Sequence, residues 1–170
     1  MVLETTRLFL VVPEMKMAPA ILSYLTINRK FFEPWTPIQE EDFYTLAKQR
    51  ELLEKDIECI AAGSQLKLYL SLKNAPLEII GDINFSNILY GTFMSAPVGY
   101  KLALKENKQG LMTEALVHAV HHVFNSPGLH RVEANIIPHN TASIRVAEKS
   151  GFVLEGFSKK YLKIILYIGL

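Results

Sequence analysis

The chain has 170 residues, of which 49% are hydrophobic and 21% charged, a composition typical of a folded protein with one sizeable core. Its formal net charge of +1, without a basic stripe, argues against nucleic-acid binding, and its single cysteine, Cys59, excludes an intrachain disulfide. The first residues lack a signal-peptide pattern and no apolar run reaches the ~20 residues of a membrane span, so we expect a cytoplasmic protein without membrane attachment.

The first third of the chain is predicted to hold one strand and two helices. Large apolar and β-branched residues fill residues 6–12, which favours a strand that Pro13 ends. Apolar residues then recur at helical spacing over residues 14–26 and again over residues 40–62. Between these helices, residues 31–37 combine three aromatic residues with two prolines, which predicts a loop or a broken turn.

The middle of the chain predicts an antiparallel meander of three strands. Residues 66–72 alternate leucines with Lys67, Tyr69 and Ser71, which is the period of a half-buried strand. A turn ending at Pro76 leads to the hairpin partner at residues 77–88, and a third strand is expected at residues 98–104.

The last third predicts helices alternating with strands. Helical spacing over residues 110–124 is followed by a strand at 130–137, a short helix at 141–150 and final strands at 152–157 and 161–167. No internal repeat or linker divides the chain. We therefore expect one domain over residues 1–170 in the α+β class, with a mixed, mostly antiparallel sheet flanked by helices.

The junction between the strand at 98–104 and the next helix carries the first chemical signal. Gly110 precedes the helix, whose first backbone N–H groups have no intrahelical partner and whose macrodipole favours an anion. A phosphate meets no Cβ at a glycine, and Lys108 adds positive charge. A glycine before a helix is also ordinary loop chemistry, and the Walker and dinucleotide patterns are missing, so the pattern alone leaves both interpretations open.

The segment from Asn140 to Phe152 is the second signal. Asn140 is a favourable N-cap for the helix at 141–150, and Gly151 is a favourable residue after its end. Neither role requires a ligand.

Four stretches together resemble the GNAT superfamily, in the branch that contains the RimJ and RimL ribosomal-protein N-terminal acetyltransferases. In chain order they are TTRLFLVVPE (5–14), IIGDINFSNI (79–88), GYKLALKENKQGLMTEAL (99–116) and HRVEANIIPHNTASIRVAEKSGF (130–152). The resemblance implies the GNAT fold, in which the fourth and fifth strands splay apart. It also implies an N-acetyltransferase that moves an acetyl group from acetyl-CoA to an amine by direct attack in a ternary complex, the favoured acceptor being the α-amine of a ribosomal or other protein.

The resemblance assigns the donor site to two places in this sequence. The pantetheine arm would lie in the gap between the splayed strands, against the backbones of Leu102 and Leu104. The family's Q/R-x-x-G-x-G/A loop is matched by Asn107, Gly110 and Met112, of which only the glycine is retained. The expected coenzyme contacts in the loop and the helix start are Asn107, Lys108, Gln109, Gly110, Leu111, Met112 and Thr113.

The family's N-x-x-S pattern is matched by Asn140 and Ser143. The resemblance implies that Asn140 contacts the pantetheine arm and that Ser143 lies near the thioester sulfur, as the candidate acid for the leaving thiolate. The alternative is a hydroxyl that bonds its own backbone. Glu133 is the first candidate base and Asp82 the second, although either would also suit a solvated strand. Phe31 and Trp35 match the loop beside the acceptor cleft, and core packing is their alternative role.

Two other readings of the function stay open at this point. One is acetylation of a small amine, such as a polyamine or an antibiotic, for which a narrower and more acidic cleft is expected. The other is a non-catalytic acyl-CoA-binding module, because the polar turn of the family's last hairpin is missing between residues 161–164 and 165–167. The sequence leaves the oligomeric state open, a homodimer included.

Two further features are not expected to carry the function. His118, His121 and His122 lie on one helical face, but without an HExxH pattern or an obvious fourth ligand we expect no metal. Cys59, inside a predicted helix, is expected to be a buried thiol rather than a nucleophile.

Overall fold

A computed structural model of the protein describes residues 1–159. In these residues one six-stranded sheet runs in the order β1-β2-β3-β4-β5-β6. Its strands are β1 (Val2–Glu4), β2 (Leu8–Val11), β3 (Leu66–Leu72), β4 (Gly81–Phe85), β5 (Ser95–Leu102) and β6 (Arg131–Glu133). All neighbouring pairs are antiparallel except β5 and β6, which are parallel. This confirms the predicted mixed, mostly antiparallel sheet.

The helices of the described chain cover both faces of this sheet. They are α1 (Ala18–Ile27), α2 (Arg29–Phe32), α3 (Leu46–Ala61), α4 (Leu111–Asn125) and α5 (Thr141–Lys149). The predicted helix at 40–62 begins later than expected because the Thr45 side chain accepts the Lys48 N–H at 3.2 Å and so caps α3. At residues 31–37, predicted as a loop or a broken turn, the chain completes α2 and forms a 3-10 turn over Glu33–Trp35, near whose start a proline is tolerated. None of the described helices is long and apolar enough to cross a membrane.

Strand predictions succeeded where the alternation was strong and failed near the C-terminus. The bounds of β3 are those predicted, whereas the strand predicted at 130–137 pairs only over Arg131–Glu133. Residues 152–157, predicted as a strand, have no strand structure, and the strand predicted at 161–167 lies outside the described residues. The reason is physical: a strand needs a partner backbone, which an apolar pattern cannot specify.

The two faces of the sheet bury different residues because side chains alternate along each strand. On one face Leu68 and Leu70 pack in a cluster with the buried stripe of α4, which includes Ala115, Leu116 and Ala119. On the other face, Tyr69 joins a second cluster with residues of α1 and α3. The sheet is therefore held from both sides, and its edge at β5 and β6 is set in place by α4.

The parallel pair of β5 and β6 separates soon after it begins. Within β5, only Ser95–Pro97 pair with β6, opposite Arg131–Glu133. Backbone bonds to β4 use the odd-numbered residues, as in the 2.7 Å bond from the Ala103 N–H to the Ile80 carbonyl just beyond β5. The remaining even-numbered backbone groups of β5 therefore face a gap. These are the predicted splayed strands, counted here as fifth and sixth because β1 was not predicted.

Candidate active site

The gap beside β5 opens into a cleft of about 580 Å³. This volume lies within the range of sites that bind small molecules and cofactors. The predicted site residues that line the cleft are Phe31, Trp35, Asp82, Leu102, Asn107, Met112, Asn140 and Ser143. The structure thus brings residues from distant parts of the sequence to one surface.

The loop before α4 presents a run of backbone N–H groups. Lys108 and Gly110 have positive φ values of 63° and 76°. The first backbone N–H of α4 that has a carbonyl acceptor is that of Glu114, which donates to the Gly110 carbonyl at 3.0 Å. The N–H groups of residues 108–113, which include Gln109, Leu111 and Thr113, have no acceptor within residues 1–159. Successive unpartnered N–H groups at a helix start favour a phosphate group. The loop reaches the cleft, because Asn107 and Met112 line it.

The structure separates the two residues expected to pair with pantetheine. Leu102 has its backbone groups on the open edge of β5 and lines the cleft. Leu104 lies in a 3-10 turn, where its N–H donates to Asn28 Oδ1 at 2.9 Å. Its carbonyl accepts from the side chain of Asn107, at 3.3 Å. Both backbone groups of Leu104 therefore have partners in this structure. Sequence reasoning missed Asn28, the long-range partner of its N–H.

The start of α5 is tied to the sheet across the gap. Asn140 Oδ1 accepts the Ser143 N–H at 3.2 Å, so Asn140 is the N-cap that the sequence suggested. Tyr100, which the sequence did not single out, donates its hydroxyl to the Ser143 carbonyl at 2.7 Å. Burial raises the pKa of Tyr100, so this hydroxyl keeps its proton and remains a donor. The Ser143 hydroxyl itself has no partner in the described residues, which leaves it available to a ligand in the cleft.

Replacing Asn140 by alanine is expected to lower the free energy of unfolding by about 1 kcal/mol, because the N-cap bond to Ser143 is lost. Aspartate retains the acceptor, so Asn140→Asp should keep nearly the stability of the parent. Urea denaturation of the three proteins measures the difference. Equal losses for both variants would mean that the cap is not what this side chain contributes to stability.

Asp82 is the only carboxylate among the cleft-lining residues of the described chain. It is buried, with 7% of its surface exposed, and accepts the Tyr24 hydroxyl at 3.2 Å. Lys101 Nζ lies 3.6 Å away. Burial and the charge of Asp82 raise the pKa of Tyr24 well above its ordinary value, so Tyr24 acts as a hydrogen-bond donor here.

A second, small cavity of about 70 Å³ lies behind Asp82. It shares Lys67, Asp82 and Lys101 with the cleft, and its other lining residues include Asp56, whose carboxylate lies 2.7 Å from Lys67. A polar cavity of this size has room for water. Lys67, Asp82 and Lys101 therefore lie beside a space that can hold a water molecule.

Glu133, the first candidate base, lies opposite Pro97, where β5 and β6 part. It ends β6, and its carboxylate is 3.3 Å from Arg131, which also pairs with Glu155 at 2.6 Å. Glu133 is absent from the described lining of the cleft. Of the two candidate bases, Asp82 lines the cleft in the described chain, and Glu133 as the base stays a prediction.

The aromatic segment forms one wall of the cleft. Phe31 and Trp35 line it, together with Phe32 and the residues of the following turn. The rings of Trp35 and His139 lie 5.6 Å apart, which connects this segment to the turn before α5. Phe32 is buried against Tyr24, with ring centroids 5.4 Å apart, so the segment is anchored from beneath.

The remaining candidate features lie elsewhere. Within residues 1–159, no group of three or more His, Cys, Asp or Glu residues is arranged to hold a metal ion. His118 and His121 bond within α4, to Glu114 and Asn125 respectively. Cys59 is half-buried on α3.

Parallel strands that part beside a helix start, with a loop of unpartnered N–H groups and a cleft between them, are the arrangement that the resemblance implies for an acetyltransferase that uses acetyl-CoA. The model of the family described as acetyltransferase (GNAT) domain matches residues 7–153. The chain belongs to this family of acetyltransferases.

Comparison with individual proteins places it in the predicted branch. The chain is 34% identical over 163 residues to the [ribosomal protein uS5]-alanine N-acetyltransferase of Escherichia coli (strain K12), covering 95% of this chain and 83% of that relative. The crystal structure of the ribosomal-protein-S5-alanine acetyltransferase from Vibrio fischeri matches with a TM-score of 0.91 and 30% identity, covering 96% of this chain and 89% of that one. Mycobacterium smegmatis RimJ in complex with CoA-disulfide matches with a TM-score of 0.89 and 26% identity, covering 96% and 80%. The resemblance to RimJ and RimL acetyltransferases is thereby confirmed.

Proposed function

We propose that this protein transfers an acetyl group from acetyl-CoA to the α-amine of a protein N-terminus, by direct attack in a ternary complex. The observation that carries the proposal is that one cleft is lined by Asn107 and Met112 from the loop and helix start at α4, by Ser143, and by Asp82 beside aromatic side chains. Since relatives act on ribosomal proteins, a ribosomal-protein N-terminus is the favoured acceptor. The reaction then belongs in the cytoplasm, where ribosomal proteins are made.

The residues of the donor side fit acetyl-CoA. The unpartnered N–H groups of residues 108–113 suit its pyrophosphate, and the open edge of β5 suits the amides of its pantetheine arm. At Gly99 on this strand, a Cβ would meet nothing within 4 Å, so the floor of the gap is open. The chemistry that acetyl-CoA supplies is an electrophilic thioester carbonyl.

The side chains of the cleft supply the proton transfers. A free α-amine is mostly ammonium at pH 7, with a pKa of about 8, and only its neutral form attacks. Asp82 takes the excess proton, directly or through a water. As the new C–N bond forms and the C–S bond breaks, the Ser143 hydroxyl gives its proton to the leaving thiolate and regains one from solvent. The nitrogen becomes cationic on attack and loses its second proton to water, which leaves the neutral amide.

The charges of the cleft favour a protein N-terminus over a polyamine. The charged lining residues in the described chain are Lys67, Asp82 and Lys101, a set with more positive than negative charge. A polyamine brings several positive charges, and the one carboxylate of this lining, which already lies beside Lys101, cannot balance them, whereas an N-terminus brings one charge. The acidic cleft expected for a small-amine enzyme is thus not what lines this site.

The test is acetylation of synthetic peptides followed by mass spectrometry. A peptide with a free N-terminus, taken from ribosomal protein uS5, should gain one acetyl group at its α-amine. The matched control is the same peptide with a blocked N-terminus and a free lysine, which should gain none. Faster acetylation of spermidine than of the peptide with the free N-terminus would show that the acceptor is a polyamine and not a protein N-terminus. Binding of CoA without transfer to any amine would identify a non-catalytic module instead.

A further inference from the structure

Arg7 lies just before β2 and far in sequence from the loop that precedes α4, residues 107–110. Its side chain nevertheless contacts both this loop and α4. Its Nε donates to Glu114 Oε2 at 2.7 Å, and its backbone N–H donates to Glu114 Oε1 at 2.9 Å. Its Nη1 donates to the backbone carbonyl of Gln109 at 3.0 Å. One side chain thereby joins the carboxylate in the first turn of α4 to the middle of the loop.

The anchor on the helix side is well defined. Glu114 Oε1 also accepts the Thr5 hydroxyl at 2.6 Å, and Thr5 Oγ1 accepts the Leu8 N–H at 3.0 Å, so the turn before β2 is bonded on both sides. Burial alone would raise the pKa of Glu114, but the hydrogen bonds from Thr5 and Arg7 outweigh it and hold that pKa below its ordinary value. Glu114 therefore stays charged and keeps the Arg7 guanidinium in place.

The contact on the loop side fixes a peptide plane. In a trans peptide the carbonyl of one residue and the N–H of the next point in opposite directions. Arg7 holds the Gln109 carbonyl, so the Gly110 N–H is turned away from the guanidinium. That N–H is one of the groups without an acceptor in the described chain. Lys108, a non-glycine residue at φ 63°, lies next to this plane in a sparsely populated conformation that needs support from its surroundings.

We infer that Arg7 is a positioning residue of the donor site, which orients the Gln109–Gly110 peptide so that its N–H meets the pyrophosphate of acetyl-CoA. The inference rests on the proposed use of acetyl-CoA. The role of Arg7 is directional rather than only electrostatic, because Nε and Nη1 of the planar guanidinium donate to two different acceptors.

The test compares two acetyl donors. Arg7→Ala should raise the KM for acetyl-CoA by about tenfold and leave kcat unchanged, as expected when a charge-assisted hydrogen bond that orders the loop is lost. With S-acetyl-N-acetylcysteamine, which has no pyrophosphate, kcat/KM should equal that of the parent enzyme. Arg7→Lys should remain impaired with acetyl-CoA, because an ammonium lacks the fork that spans Glu114 and Gln109. Lys73→Ala is the matched control, since Lys73 bonds Glu4 of β1 without touching the loop.

The outcomes separate this inference from the proposed function. An equal loss with both donors would assign Arg7 a purely structural role, and full recovery in Arg7→Lys would assign it charge alone; each overturns the inference. Calorimetry with CoA is a measurement that does not depend on acetyl transfer, and in it Arg7→Ala should raise the Kd for CoA by about tenfold. If the parent protein binds CoA but acetylates nothing, the Kd for CoA still decides the role of Arg7. If the parent does not bind CoA, both proposals fall.

Discussion

Asp82→Asn is expected to lower kcat/KM for the acceptor peptide by about 10²–10⁴-fold, the usual range for loss of a general base. Asparagine has nearly the same shape and can still accept the hydrogen bond from Tyr24, but it cannot take a proton from the ammonium group. Affinity for CoA should be unchanged, because the role proposed for Asp82 concerns the acceptor amine and not the coenzyme. Steady-state kinetics with peptide and acetyl-CoA varied separately gives both numbers.

The pH dependence of the Asp82→Asn variant gives a second readout. Without the carboxylate, the amine must lose its proton to solvent, and the neutral fraction rises as the pH approaches the amine pKa of about 8. The ratio of parent to variant rates should therefore shrink between pH 7 and pH 9. A defect in folding would leave that ratio constant over this range.

Two controls make the assignment of the base specific. Asp56→Asn removes a comparable partly buried carboxylate, which pairs with Lys67 at 2.7 Å but does not line the cleft, and should retain most of the activity. Glu133→Gln tests the base that the resemblance suggested first, and should also retain activity. Near-complete loss in Glu133→Gln together with an active Asp82→Asn would reverse the assignment.

The sequence predicted features that depend on short-range patterns. Alternation of polar and apolar residues gave β3 with its bounds, and helical spacing gave α4 to within a residue or two at each end. Asn140 as a cap is likewise a local matter, because the bond reaches only three residues along the chain. In each case the deciding physics acts between near neighbours in sequence. The expectation of one domain over the whole chain stays a prediction.

Long-range contacts decided what the sequence did not provide. Both Glu133 and Asp82 lie on strands, and nothing local says which carboxylate faces the cleft, because that depends on where β5 and β6 part. The N–H of Leu104 donates to Asn28, 76 positions away, a contact that no local pattern indicates. The contact between Arg7 and Glu114 spans 107 positions. The family resemblance supplied the architecture that makes such pairs neighbours, but not their hydrogen bonds.

Ser143→Ala is expected to lower kcat by about 10²-fold, near the low end for loss of a general acid, because a thiolate is already a moderately good leaving group. Stability should change by no more than about 0.5 kcal/mol, since the removed hydroxyl has no partner in the described residues and the N-cap bond uses the backbone N–H. Measured rates at saturating substrates and urea denaturation check both statements.

The leaving group tests whether Ser143 acts as an acid. An acetyl thioester of a more acidic thiol, such as thiophenol, needs less protonation as its C–S bond breaks, so the Ser143→Ala defect should shrink with that donor. Ser150→Ala is the matched control, because Ser150 lies at the end of the same helix and its buried hydroxyl also lacks a partner in the described chain. A defect that is equal for both thioesters would assign Ser143 to positioning the donor, and proton delivery would then fall to water.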